Sequence, residues 1–184
     1  MGWADSLERL REQAGQVETI KADFIQEKHL RILTKPLVSK GVFCYRAPRS
    51  LRWEYKSPVR SILLMHRGKI RRYIEGANGL TEDPGAGLQA MEPVLQEITR
   101  WLKGDFGNNP MFSASLKGEG KIVLTPKEKA FASIIKRIEL ILSDRPGVIK
   151  SVTIYEGEDS FTRIEFRNVR VNGPLKDSLF QEIS

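Results

Sequence analysis

The sequence has a single cysteine, Cys44, so no disulfide can form within the chain and its redox compartment is not written in it. Its two histidines, His29 and His66, lie far from each other and from Cys44, a spacing that gives no structural zinc site. Long apolar runs are missing too. The longest lies around Ile62 to Met65, far short of the roughly 18 residues that span a bilayer. The start, Met1-Gly2-Trp3-Ala4-Asp5, has neither the basic region nor the apolar stretch of a signal peptide. The chain is therefore expected to be cytoplasmic, or to be a mature form with an added start. There is no Gly-rich phosphate loop, no HExxH and no nucleophile elbow, so nothing points to an enzyme, a metal or a cofactor. No RRM, KH or helix-turn-helix signature is present, which sets nucleic acid aside as a partner.

What is there fits one globular domain over residues 1–184, long enough to bury a core without staples. Thirty basic against 23 acidic residues leave a net charge of +7. The cations are spread along strands rather than gathered in a tail, apart from His66–Tyr73, "HRGKIRRY". That stretch reads as a hairpin with basic flanks: a solvated turn, or a surface for anionic headgroups or an acidic partner.

The most telling stretch is "YRAPRSLRWEYKSPVR", residues 45 to 60. Between Pro48 and Pro58, Leu51, Trp53 and Tyr55 alternate with Arg52 and Glu54. That is the period of a strand with one large aromatic face and one wet face. Before it, "WADSLERLREQAG" reads as a short amphipathic helix with Asp5 as N-cap and Gly15 as stop. Other strands are expected at "VETIKADFIQEKHLRI", "KGVFCYRA", "RSILLMHR", "KIRRYIEG", "MFSASLKG", "KIVLTP", "IIKRIELILSD", "GVIKSVTIYEG", "DSFTRIEFRNVRVN" and "SLFQEI". A loop, "NGLTEDPGAG", precedes a second helix, "MEPVLQEITRWLKG", and "KEKAFAS" holds a turn of helix. The short breaks between strands imply antiparallel pairing. The fold class is therefore mainly β: one large curled antiparallel sheet with helices against one face. Such a face can be filled as core or can leave a gap for a ligand, and patterning alone does not distinguish the two.

Four stretches carry a further resemblance: "ADFIQEKHL", "PLVSKGVFCYRAPRSLRWEYKSPV", "LTPKEKAFASIIKRIELILS" and "SFTRIEFRNVRVNGPLKDSLF". Phe24 and Gln26, then Gly41, Pro48, Trp53 and Pro58, then Phe166 and Asn168, and finally Asn172 and Phe180 follow one another in order and spacing. Over about residues 16 to 181 the chain resembles the periplasmic lipoprotein carrier family, LolA, as a divergent subgroup. The resemblance implies an incomplete antiparallel β-barrel of about 10–11 strands, with a helical lid over its concave face. It implies a monomer in the periplasm whose leader has been removed. Its cargo would be an acylated lipoprotein or lipid, received from an inner-membrane transporter and passed to an outer-membrane acceptor. Other acylated envelope lipids or glycolipids, or an envelope regulatory protein bound by the same fold, are the alternative partners.

On this reading Leu51, Trp53 and Tyr55 line the lipid cavity. Phe24, Ile62, Leu64, Ile138, Leu140, Leu142, Ile164 and Phe166 alternate with polar residues so as to join the same face. Leu95, Ile98 and Trp101 form the lid's inner stripe. The alternative for each of these is plain core. The family carries an Arg directly before the first proline, where it helps latch the lid. Here Ala47 holds that position, and Arg46 one residue earlier is the candidate latch. Arg46, Arg49 and Arg52 all read either as solvated surface or as such a latch, donating to lid carbonyls, and Cys44 reads as a small buried hydrophobe.

Overall fold

The structure is a computed structural model that describes residues 3–83, 96–107, 109–118, 120–157 and 159–183. In chain order, helix α1 (Trp3–Gly15) precedes strands β1 (Thr19–His29), β2 (Leu37–Arg46), β3 (Ser50–Ser57), β4 (Ser61–His66), β5 (Lys69–Gly76) and β6 (Gly79–Glu82). Residues 96–102 are helical and are called α2. Then follow β7 (Phe112–Lys117), β8 (Lys121–Pro126), the short α3 (Lys129–Ala132), β9 (Arg137–Leu142), β10 (Ile149–Gly157), β11 (Ser160–Val171) and a 3₁₀ turn (Asp177–Phe180).

The eleven strands form one open antiparallel sheet in the order β6-β5-β4-β3-β2-β1-β11-β10-β9-β8-β7. All neighbours but one are consecutive in sequence, because the short turns leave little choice but antiparallel hairpins. The exception is β1 beside β11. Asn172 secures their junction: its backbone N–H donates to Thr19 O (2.8 Å), and its side-chain oxygen accepts from Glu18 N (2.6 Å). Three expectations need correction. "SLFQEI" is not a closing strand but holds the 3₁₀ turn, and Gly79–Glu82, read as loop, pairs with β5 as β6. Asp5 lies inside α1 rather than at its cap.

The chain divides into two compact units. One comprises residues 1–16, 25–38 and 101–166; the other residues 17–24, 39–100 and 167–184. In the first, Phe112, Ile122, Leu124, Ile138, Leu140, Val152 and Ile164 are buried on one sheet face, fixed by the pairs Leu124–Ile138, Ile122–Leu140, Leu140–Val152 and Val152–Ile164. Leu7 and Ala14 of α1 are buried in the same unit. Its backbone passes so close to Gly147 that a Cβ there would lie 2.7 Å from Ala14 N, and Gly147 has a left-handed φ of 78°. In the second unit both faces of β3 are covered: Ser50, Leu51, Arg52, Trp53 and Glu54 are all buried in succession. The β4–β5 hairpin turns on Arg67 and Gly68, both at positive φ, as the right-handed strand twist favours.

Candidate functional site

Register decides which side chains meet. Within the second unit, Phe43 pairs with Trp53 and Trp53 with Leu63; Tyr45 pairs with Leu51 and Leu51 with Met65. Directly paired residues share a face, so Phe43, Tyr45, Leu51, Trp53, Tyr55, Leu63 and Met65 form one apolar surface. Phe24 joins it from β1. Its ring meets Trp53 edge-on at 5.6 Å and Tyr55 at 5.1 Å, while Phe43 meets Trp53 at 5.3 Å. Such edge-to-face packing is the arrangement that aromatic quadrupoles favour. Phe24, Leu51 and Trp53 are buried, and Tyr55 is half-buried at the margin. The cluster rests on Gly41, which pairs with Tyr55 beside a β-bulge. A Cβ on Gly41 would lie 1.8 Å from Glu54 O and 2.8 Å from the Phe24 ring.

Burial raises the Tyr55 hydroxyl above its ordinary pKa. The Trp53 indole N–H and the Arg72 charge partly offset the rise. The indole N–H falls short of full hydrogen-bond geometry, so Trp53 Nε1, like Trp101 Nε1, is buried without a hydrogen-bond partner among the described residues. Desolvation pushes the Tyr45 hydroxyl further, from 10.0 to about 12. An acid whose folded pKa is raised keeps its full stabilising share below the unfolded value and loses it as pH climbs through the folded one. Stability is therefore expected to fall between pH 10 and 12 by roughly 3 kcal/mol from this group, and urea unfolding of Tyr45→Phe should lack that part of the decline.

Ile62 and Leu64 do not lie on the Trp53 face. They pair with Glu54 and Arg52 and belong to the opposite side of the sheet, where Cys44 also sits. In their stead Leu63 and Met65 face the aromatic cluster. In the first unit the expected set does share a face: Ile138, Leu140 and Ile164 through their pairings, Leu142 and Phe166 by two-residue steps along β9 and β11. Leu142 and Phe166 are half-buried. On α2, Ile98 is half-buried and Trp101 buried, and Leu95 lies outside the described residues.

The arginines are bound in ways the sequence did not suggest. Arg46 engages the C-terminal segment: it pairs with the Asp177 carboxylate, lies 4.9 Å over the Phe180 ring and reaches Leu175 O at 3.5 Å. None of these contacts is to α1 or α2. Arg52, read as solvated, is only 6 % exposed. Its guanidinium donates to Glu54 Oε1 at 3.1 and 2.9 Å, to Leu179 O at 3.0 Å, to Glu182 O at 2.6 Å and to Ile183 O at 3.4 Å. Glu54 also faces Arg60 at 3.6 Å. Phe180 is buried nearby, parallel to the His66 ring at 6.5 Å. Burial, the largest influence, raises the Cys44 thiol, which leaves it protonated and inert at neutral pH.

A polar groove of about 460 Å³ opens between Lys21, Ala22, Asp23, Asn168, Val169 and Arg170, where Asn168 donates to Asp23 at 2.9 Å. No group of residues able to hold a metal occurs among the described residues. No helix among them is long and apolar enough to cross a membrane. What the aromatic face offers is apolar contact area.

A profile of the family described as outer membrane lipoprotein carrier protein LolA matches residues 15–182. No curated protein matches the sequence. Among solved structures, a DUF1329 family protein from Desulfovibrio piger is similar with a TM-score of 0.52 at 11% identity, covering 97% of this chain and 96% of that one. The MucA/MucB complex of Pseudomonas aeruginosa is similar at 0.55 and 16% identity; the match covers 96% of this chain but only 59% of that one. The lipoprotein LppX of Mycobacterium tuberculosis is similar at 0.51 and 10% identity, over 95% and 99% of the two chains. At these identities the likeness is one of fold.

Proposed function

The chain belongs to the LolA family of outer membrane lipoprotein carriers, and from that premise we propose that it is a periplasmic carrier. It holds the acyl chains of lipoproteins in an apolar cavity between sheet and helical lid and hands them towards the outer membrane. The observation that carries this reading is the aromatic face built from Phe24, Phe43, Trp53 and Tyr55, with Tyr55 at its accessible margin. Each methylene buried against such a surface contributes about 0.8 kcal/mol. The contacts are non-directional, so the cargo is selected by chain length and can slide to a more apolar acceptor without a chemical step. An inner-membrane transporter would load it and an outer-membrane receptor would unload it, the carrier acting as a monomer without enzymatic activity. Ile138, Leu140, Leu142, Ile164 and Phe166 would give the first unit an apolar face of its own for the same kind of contact. Ile98 and Trp101 would belong to the lid's inner stripe.

Native mass spectrometry of protein isolated from a bacterial envelope is expected to show an added acylated molecule. Its mass separates a lipoprotein from another envelope lipid or glycolipid. Brominated acyl chains should quench the intrinsic fluorescence, and Trp53→Phe, which keeps an aromatic ring in place, should remove the part of that quenching that comes from Trp53. A protein that carries no lipid and ignores both lipopeptide and brominated chains would overturn the reading. That result would favour a module binding an envelope regulatory protein, which the MucA/MucB complex supports.

A further inference from the structure

The connection between β1 and β2 is out of keeping with the rest of the surface. Ile32 is 88% exposed, Leu37 54%, Val38 43% and Leu33 40%. Four large apolar side chains within seven residues form a patch of the kind that marks an interaction site rather than scattered surface apolarity. The segment is held in shape by a β-turn: Leu33 N donates to Leu30 O at 3.0 Å, which places Arg31 and Ile32 at the two corners. Consecutive residues of a strand point to opposite faces. Leu37 and Val38 are both exposed, so the start of β2 is bare on either side.

Charge completes the pattern. Lys28, Arg31 and Lys35 surround the apolar residues, and the sequence contains no acidic residue between Glu27 and Glu54. Among the described residues, none of these three cations takes part in an ion pair. A single concave protein site would meet only one side of such a tip. A lipid interface surrounds an inserted tip on all sides, takes up apolar side chains pointing in opposite directions, and places cations among its headgroups.

We propose that the β1–β2 loop, with Ile32 and Leu33 at its apex and Leu37 and Val38 behind them, inserts into the interface of an anionic lipid bilayer and docks the protein on the membrane surface. The loop's exposure and charge stand independently of how the sheet faces are used.

The test is flotation of the intact protein with vesicles of phosphatidylcholine and phosphatidylglycerol, or of phosphatidylcholine alone. The protein should float with the anionic vesicles, less so as salt is raised, because counterions screen the contribution of Lys28, Arg31 and Lys35. The double variant Ile32→Ser/Leu33→Ser should lower partitioning about tenfold or more, since both apolar side chains would lose their burial in lipid. Its thermal unfolding should match the parent's, as neither side chain is part of a core. A fluorophore on Thr34→Cys should shift to the blue on adding anionic vesicles. A parent protein that stays in solution with anionic vesicles at low salt would overturn the proposal. So would a serine variant that floats as well as the parent, or a label at position 34 that does not respond.

Discussion

Arg52→Leu is expected to cost roughly 3–5 kcal/mol, because it leaves a buried carboxylate and several carbonyl oxygens without their donor. The guanidinium is the meeting point of Glu54 and the carbonyls of Leu179, Glu182 and Ile183. With leucine in its place, Glu54 keeps only the looser contact to Arg60 at 3.6 Å. The midpoint of urea unfolding should fall steeply. Limited proteolysis should cut first in residues 174–183, which lose their anchor. A second outcome separates pairing from burial. In Arg52→Leu/Glu54→Leu the charge is gone from both sides, and much of the lost stability should return, as isosteric apolar replacements of buried pairs often achieve. If the double variant is no better than the single one, the carbonyl contacts carry the stability and the ion pair adds little.

Gly41→Ala should be nearly as damaging for a different reason. The added methyl would sit 1.8 Å from Glu54 O and 2.8 Å from the Phe24 ring. The first neighbour is backbone and cannot rotate away. The β2–β3 ladder must open locally beside the Lys40/Gly41 bulge, and about 3 kcal/mol is expected, at the upper end of overpacking. The consequence reaches the aromatic face, because Gly41 pairs with Tyr55 and underlies Phe24. Urea unfolding measures the stability loss. Near-ultraviolet circular dichroism should show the Phe24–Trp53–Tyr55 signature reduced in the folded variant. An unchanged spectrum with parental stability would mean that the strands part at no cost.

The sequence made β3 legible because Leu51, Trp53 and Tyr55 alternate cleanly with charge, and the family resemblance extended that strand to a whole antiparallel sheet. Where alternation is lacking, legibility ends. In "SILLMH" every central residue is apolar, so nothing local says whether Ile62 and Leu64 or Leu63 and Met65 face the aromatic cluster. Only pairing with β3 decides, and it selects Leu63 and Met65. Phe43 and Tyr45 belong to the same face and carried a two-residue period of their own in "VFCYR", a signal that was available. Arg52 was readable as wet only because strands are judged from their own residues. What buries it is a segment more than 120 residues further along, and no window of the sequence contains both. The 3₁₀ turn at Asp177–Phe180 was mistaken for a strand for a related reason: a short apolar pair, Leu179 and Phe180, fits either element, and Phe180 is buried by contact with β3 and β4.

The pairing of β1 with β11 has a bearing on how the chain reaches its final form. From β1 to β6 and from β7 to β11, neighbours follow directly in sequence, so both stretches are meanders of low contact order that can assemble as soon as they are made. The seam between β1 and β11 joins the earliest strand to the last one. Closing it orders a loop of well over a hundred residues, an entropic toll that grows only logarithmically with length but falls on a single event. Asn172, with its contacts to Glu18 and Thr19, is the clasp of that seam. A nascent chain cannot complete this sheet until β11 has emerged, so β1, which carries Phe24 of the aromatic cluster, is paired on its β2 side alone until then.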